Sequence, residues 1–236
     1  MVNIDTVYQK VLVFANKEQR GYITPQEYNL FANQAQTEIL NQYFYDINQF
    51  GRVSGNDTEY SDMLSVLQEK LSELEVRQTS LTIASGVFNY RTSTAITFPV
   101  YKLGTVVNAE TGYEIEQVNN NEWYGMQSAP LTAPTVDRAV FVNRIDGINV
   151  YPNTISSIDI SYTRVPAVPS WGYLVIDGKA LFNDDPLKTT HFALHASEET
   201  ELVYKILKYA GVAMKRDDIS QAGAGLEKTQ VEQEKI

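Results

Sequence analysis

Several residue types that carry chemistry are scarce or absent in this chain. There is no cysteine, which excludes disulfides, thiolate zinc sites and cysteine nucleophiles. Only two histidines occur in 236 residues, which leaves little for a metal site or a histidine base. Basic residues are also few, since 19 Lys and Arg against 29 Asp and Glu give a formal net charge of −10. A broad nucleic-acid-binding face needs clustered Lys and Arg, so the composition disfavours that class of function.

Long apolar runs are missing as well. No stretch approaches the roughly 20 apolar residues of a membrane span, and Met1 leads directly into a periodic segment, which predicts no signal peptide. A hydrophobic content of 43% excludes disordered and collagen-like compositions, and the length suits one large domain or two small ones. We therefore expect a soluble, acidic protein that is made inside the cell.

Apolar residues recur at helical spacing in the first part of the chain, 1–78, which we interpret as a helical bundle. Residues 4–15 carry one apolar stripe and predict a first helix. Thr24, Pro25 and Glu27 form a start signal for a second helix, with a cap, a proline at the first helical position and a capping box. Gly51 is its predicted stop.

A third helix is predicted to begin at Asn56 or Asp57. Its leucines are spaced three, four and three residues apart, at Leu64, Leu67, Leu71 and Leu74. This pattern is too short for a sustained coiled coil and predicts packing against the second helix.

From about Thr79 the apolar period changes to two, and glycine and proline punctuate the runs. This pattern predicts an antiparallel β domain over 79–182, either a sandwich or a barrel-like structure. Asp146-Gly147 has the composition of a two-residue hairpin turn. A further hairpin is predicted from Tyr173 to Leu181, turning at Asp177-Gly178.

The C-terminal part is predicted to hold one helix followed by an arm. Over 183–214 we expect a helix that is capped by Ser197 and packs on the bundle. Residues 215–236 lack aromatic side chains and are expected to form an extended docking arm. The predicted anchors of this arm are Ile219, Leu226 and Val231. Deleting 217–236 is then expected to leave the melting temperature nearly unchanged and to abolish docking.

Clusters of reactive side chains favour structural interpretations. His191 and His195 are four residues apart, but no further ligand lies at metal-binding spacing. Asp184-Asp185 is interpreted as turn chemistry and Glu198-Glu199 as first-turn helix chemistry. Nucleophile-elbow and phosphate-binding motifs are absent from the sequence, since the glycines in 221–226 follow no predicted strand. We predict no catalytic, metal or cofactor site, and no enzyme.

Two tryptophans leave two interpretations open. Trp123 and Trp171, each close to a tyrosine, are arranged as in a sugar-stacking platform, which would make the chain a carbohydrate-binding or receptor-binding accessory virion protein. Alternatively, both anchor the β core or a subunit contact, where large aromatic side chains supply much of the buried area. The second interpretation is favoured.

Several segments resemble head–tail connector proteins of short-tailed, crAss-like and marine phages. The first is GYITPQEYNLFANQAQ at 21–36, which leads into NQYFYD at 41–46. The later ones are PSWGY at 169–173, HFAL at 191–194 and SEETELVYKILKYAGV at 197–212. Together these segments bracket nearly the whole chain.

The resemblance implies an adaptor or ring subunit of the phage neck. Such proteins have a helical bundle, a β domain and a C-terminal arm that reaches a neighbouring ring. The implied partners are further copies in a homo-oligomeric ring, with a dodecamer expected, and the portal protein or neighbouring neck and tail rings. Genomic DNA would pass through the lumen without specific binding, and no membrane is involved. The implied location is the neck or tail region of the virion, after synthesis in the bacterial cytoplasm.

Overall fold

The computed structural model describes residues 1–16, 23–50, 58–213 and 217–234. These residues form a mixed α/β structure with six helices and several mainly antiparallel sheets, which confirms the coarse fold class predicted. The chain divides into two compact units. Unit 1 combines Met1–Glu73 with Pro166–Ile236, and unit 2 is Leu74–Val165. Unit 2 is therefore shorter than the predicted β segment, because the last hairpin of that segment belongs to unit 1.

Unit 1 is built mainly from helices. Its helices are α1 (Ile4–Asn16), α2 (Pro25–Phe50), α3 (Thr58–Ser72), α5 (Glu199–Ala213) and α6 (Asp217–Glu234). Helix α5 packs against α1, α2 and α6, and α3 packs against α2. Unit 1 also contains a two-stranded hairpin of β8 (Tyr173–Ile176) and β9 (Lys179–Phe182).

The predicted start of α2 is confirmed. The Thr24 backbone N–H donates to Glu27 Oε2 at 3.0 Å, and the Glu27 N–H donates to Thr24 Oγ1 at 3.3 Å. These are the two hydrogen bonds of a capping box. The Thr24 hydroxyl also donates to Glu27 Oε2 at 2.7 Å. This bond, followed by the bond from the Thr24 N–H, lowers the pKa of the Glu27 carboxyl because both favour its charged form. The predicted stop at Gly51 and the start of α3 at Asn56 or Asp57 lie outside the described residues.

Unit 2 contains seven strands and one helix. The strands are β1 (Glu75–Thr82), β2 (Val87–Phe88), β3 (Val100–Asn108), β4 (Glu116–Gln117), β5 (Val140–Arg144), β6 (Gly147–Tyr151) and β7 (Ser157–Arg164), and the helix is α4 (Asn120–Ser128). One sheet has the order β1-β7-β3 and the other β2-β6-β5-β4. All pairs are antiparallel except β4 with β5.

Both sheets of unit 2 contribute to one apolar core. Ile158 and Ile160 from β7 and Ile148 and Val150 from β6 are completely buried in the same cluster. Neither these sheets nor the β8–β9 sheet closes on itself in the part of the chain that the structure describes, so the barrel-like alternative is wrong. The two sheets of unit 2 instead contribute side chains to one shared core.

The β5–β6 hairpin turns one residue earlier than predicted. Arg144 pairs with Gly147, which places Ile145 and Asp146 in the turn. Gly147 is the first residue of β6, and its φ of +113° favours glycine. A side chain there would also collide with β2, since a Cβ atom would lie 2.2 Å from the Phe88 carbonyl oxygen.

Three local features differ from the predictions. Helix α4 interrupts the segment predicted to be all β. The sequence signal for this helix was the capping box of Asn119 and Glu122, in which the Glu122 carboxylate accepts from the Asn119 N–H at 2.9 Å. Residues 217–234 form helix α6 rather than an extended arm, because α5 offers charged and close-packed partners for them. Ser197 does not cap α5. It lies in a 3₁₀ turn, Ala196–Glu198, whose N-cap is His195.

Among the described residues, no helix is long and apolar enough to cross a membrane.

Candidate functional site

The two histidines both have structural partners. His195 Nδ1 accepts from the Ser197 backbone N–H at 3.3 Å, which starts the turn before α5. His191 Nδ1 accepts from the Ile4 N–H at 3.4 Å. Within the described ranges, no group of three or more His, Asp or Glu residues is arranged to hold a metal ion.

The two carboxylate pairs have different roles. Asp185 forms a turn, as predicted: its Oδ1 accepts from the Leu187 N–H at 3.0 Å and its carbonyl accepts from the Lys188 N–H at 2.8 Å. Glu198 differs from the prediction, because it is completely buried instead of lying in a solvated first turn. It pairs with Lys70 Nζ of α3 at 2.8 Å.

The Glu198–Lys70 pair lowers the pKa of the Glu198 carboxyl. Burial alone would raise the pKa of the Glu198 carboxyl, but the Lys70 charge and hydrogen bond and the hydrogen bonds of Glu201 and Ser197 outweigh it. The result is a pKa below the usual value. Glu198 therefore remains ionised although it is buried, and it links the start of α5 to α3.

A buried cation, Lys205, joins three helices. Its Nζ lies 2.7 Å from Glu227 of α6, 3.4 Å from Glu38 of α2 and 3.4 Å from Glu201 one turn earlier on α5. Lys208 Nζ is a further partner of Glu227 at 3.0 Å. We call these five residues the Lys205 cluster.

Charge compensation dominates in the Lys205 cluster. Burial opposes the charged form of Lys205, yet Glu227, Glu201 and Glu38 together raise its pKa. Burial likewise opposes the ionised form of Glu227, and Lys205 and Lys208 outweigh it, so the pKa of Glu227 is lowered. Burial and the hydrogen bond from its hydroxyl to Glu38 raise the pKa of Tyr209 to about 12. The sequence offered only the helical spacing of Lys205 and Glu201 as a signal for this cluster.

Helix α6 crosses α5 closely at a glycine. A Cβ atom on Gly223 would lie 2.9 Å from the Lys208 backbone nitrogen, so the two helices approach at that point more closely than a side chain permits. Gly225 has open space around it. Because deletion of 217–236 would remove Glu227 from the buried Lys205, we now expect such a deletion to destabilise unit 1, contrary to the expectation from sequence.

The predicted arm anchors lie on α6. Leu226 is exposed, with 43% of its surface accessible. Ile219 and Val231 belong to the helix, but their side chains lie outside the described part of the structure.

Both tryptophans are buried, at 8% exposure for Trp123 and 3% for Trp171. In unit 2, Trp123 of α4 stacks on Tyr151 with ring centroids 3.6 Å apart. In unit 1, Trp171 packs against Tyr8 at 4.4 Å, and its indole N–H donates to Asp5 Oδ1 at 2.9 Å. Neither residue presents the exposed ring face that a sugar platform needs, so the placements favour the core interpretation.

The β8–β9 hairpin of unit 1 carries four exposed apolar side chains. Accessible fractions are 46% for Leu174, 65% for Val175, 53% for Ile176 and 50% for Leu181. These side chains point to both faces of the hairpin, because successive residues of a strand alternate. Exposed apolar side chains concentrated in one element are a feature of protein–protein contact sites.

Comparisons with known proteins add no assignment: no family model matches the chain, and no curated protein matches it.

Proposed function

We propose that this chain is a structural subunit of a bacteriophage neck. Copies form a homo-oligomeric ring between the portal and the tail, and DNA passes through the ring. The observation that carries the proposal is the exposed apolar hairpin β8–β9, because an assembling subunit must present such a surface before it meets its neighbours. The resemblance of the segments at 21–46, 169–173 and 191–212 to head–tail connectors supplies the class.

Each part of the chain has a role in this proposal. The helices of unit 1 form the bundle that such connectors use as a rigid wall, and the antiparallel sheets of unit 2 form a sandwich-like domain for contacts between rings. The exposed side of α6, which includes Leu226, docks on the portal or on a neighbouring neck or tail ring.

The charge of the chain suits a conduit for DNA. A formal net charge of −10 repels phosphate, whereas a basic lumen would hold the genome through counterion release. We expect DNA to pass without specific binding.

Native mass spectrometry of the full chain over a range of concentrations tests the proposal. We expect one closed oligomer of a single stoichiometry, with a dodecamer as the form that the resemblance implies. A chain that stays monomeric at every concentration and also fails to close in the presence of a portal ring would contradict it.

The competing function, a carbohydrate-binding or receptor-binding accessory virion protein, predicts a different outcome. It requires a change of tryptophan fluorescence on addition of glycans and little self-association. The burial of Trp123 and Trp171 does not favour it.

A further inference from the structure

The β8–β9 hairpin has two backbone edges. Its turn, Asp177-Gly178, has φ values of +49° and +76°, as in the type I′ turn that joins tightly paired strands. The sheet contains only these two strands among the described residues, so each strand pairs on one side only. The backbone N–H and C=O groups of each hairpin residue therefore point either towards the partner strand or away from it.

The register determines which backbone groups point outward. Leu174 pairs with Leu181 and Ile176 with Lys179, in phase with the Asn183 N–H bond to the Gly172 carbonyl at 3.0 Å. Hydrogen-bonded and non-hydrogen-bonded pairs alternate along an antiparallel ladder. The outward groups are consequently those of Tyr173 and Val175 on β8 and of Ala180 and Phe182 on β9.

Neither edge carries the protection that free edges usually have. Strand β8, Tyr173–Ile176, contains no charge and no proline, and β9 has one charge, Lys179, next to the turn. Natural proteins protect exposed edges with charges, prolines or bulges, because an apolar free edge is a template for pairing. Here the edge residue Val175 is 65% exposed.

The base of the hairpin is held in place before any partner binds. Thr189 Oγ1 accepts from the Gly172 N–H at 3.1 Å and donates to the Asn183 carbonyl. The Trp171 ring lies 5.8 Å from the rings of both Tyr173 and Phe182. A strand that is already ordered loses little conformational entropy on pairing.

We propose that the hairpin joins copies of this chain edge to edge, with β8 of one copy pairing with β9 of the next. This inference rests on the proposed ring. In a cyclic ring all hairpins point the same way, so β8 of one copy runs antiparallel to β9 of its neighbour and the ladder continues from copy to copy. A closed ring then leaves no edge unpaired, whereas a two-fold β8–β8 contact would leave both β9 edges free.

Charge favours a second copy at this element. The chain carries a net charge of −10, so copies repel one another over most of their surface. The hairpin contains one acidic and one basic residue, Asp177 and Lys179, and its paired edges bring little like charge together.

Proline substitutions on the two edges test the pairing. Val175→Pro and Ala180→Pro each remove an outward N–H, and neither removes a hydrogen bond within the hairpin. We expect each full-length variant alone to lose the oligomer that the wild-type chain forms in native mass spectrometry. Val175→Ala, which keeps the N–H group, is the matched control and should assemble at no more than about tenfold higher concentration, since it loses only part of the buried apolar area.

Mixing the two proline variants gives the decisive result. The Val175→Pro copy keeps a working β9 edge and the Ala180→Pro copy keeps a working β8 edge, so the mixture should form a one-to-one heterodimer and nothing larger. Heterodimer formation also shows that both variants are folded, and unchanged Trp171 emission checks the base of the hairpin.

Four results would overturn the pairing. Wild-type-like rings from both proline variants would reject it and leave the proposed function standing. A dimer of Ala180→Pro alone would indicate a two-fold β8–β8 contact instead. Folded monomers that do not pair on mixing would reject edge pairing. A wild-type chain that associates neither alone nor in the presence of a portal ring would reject both the pairing and the ring.

Discussion

The two units are stabilised in different ways. The core of unit 2 is apolar, and its largest cluster consists of aliphatic and aromatic side chains from two sheets. Unit 1 buries Glu198 in the turn before α5, and Glu201 and Lys205 on α5, beside apolar residues. Burying an ion costs several kcal/mol unless it is paired. Unit 2 therefore depends on shape and apolar area, and unit 1 depends in addition on the presence of each charge partner.

The tryptophans make this comparison measurable, since Trp171 lies in unit 1 and Trp123 in unit 2. A Trp123→Phe background reports on unit 1 alone, and a Trp171→Phe background reports on unit 2. Urea unfolding followed by fluorescence in each background gives a separate transition for each unit.

The largest expected effect comes from removing the cation of the Lys205 cluster. Lys205→Met keeps the apolar stem but leaves Glu201 and Glu227 without their shared partner. We expect unit 1 to lose about 3 kcal/mol of unfolding free energy in the Trp171 signal, because Glu201 and Glu227 lose the buried cation that offsets the cost of their burial. The Trp123 signal should not shift.

Lys10→Met is the matched control for that substitution. Lys10 pairs with Glu199 at 2.5 Å, but about half of the Lys10 side chain is exposed, at 51%. Exposed pairs contribute about 0–1 kcal/mol, so this variant should change little. Equal effects of the two substitutions would show that burial of the Lys205 cluster does not matter.

An intermediate effect is expected from acid. The pKa of Glu198 is lowered in the folded state, so its stabilising contribution is complete above the usual value of 4.5 and is lost as the pH falls through the lowered pKa. The Trp171 transition should therefore weaken below about pH 4.5 more steeply than the Trp123 transition.

Glu198→Gln sharpens the acid experiment. At pH 7 this variant should be about 2 kcal/mol less stable in unit 1, since Lys70 loses its charged hydrogen-bond acceptor. Its Trp171 transition should also change less with acid than that of the wild-type chain. An unchanged acid profile would exclude Glu198 as the titrating group.

The smallest expected effects come from two glycines of α6, and they have opposite signs. Gly223→Ala places a methyl group against the α5 backbone, and we expect unit 1 to lose about 1 kcal/mol. Gly225→Ala meets nothing within 4 Å and should stabilise by about 0.5–1 kcal/mol through helix propensity. Urea midpoints in the Trp171 signal measure both, and a stabilising Gly223→Ala would contradict the close crossing.

Local signals in the sequence predicted local structure well. Thr24, Pro25 and Glu27 mark the start of α2, and Asp177-Gly178 marks the β8–β9 turn. In each case the residues that form the feature are neighbours along the chain. The turn predicted at Asp146-Gly147 lies one residue earlier, because Gly147 belongs to β6, where its φ of +113° and the close approach of Phe88 both favour glycine.

The candidate surfaces were predicted less well. The sequence was compatible with either a surface or a core role for Trp123 and Trp171, and both are buried. Leu226 is exposed, as an anchor must be, but on a helix and not on an extended arm. The outward edges of the hairpin depend on whether a third strand joins the sheet, and no local pattern predicts that.

The acidic charge, most element types, the cap of α2 and the turn of β8–β9 could be read from the sequence alone. These follow from backbone preferences and from hydrogen bonds between near neighbours. The burial and ionisation of Glu198 and Lys205, the packing of 217–234 as a helix, and a hairpin with two unpaired edges among the described residues follow from tertiary contacts. A charged side chain on a helix is equally compatible with water and with a buried partner, and distant segments of the chain decide between them.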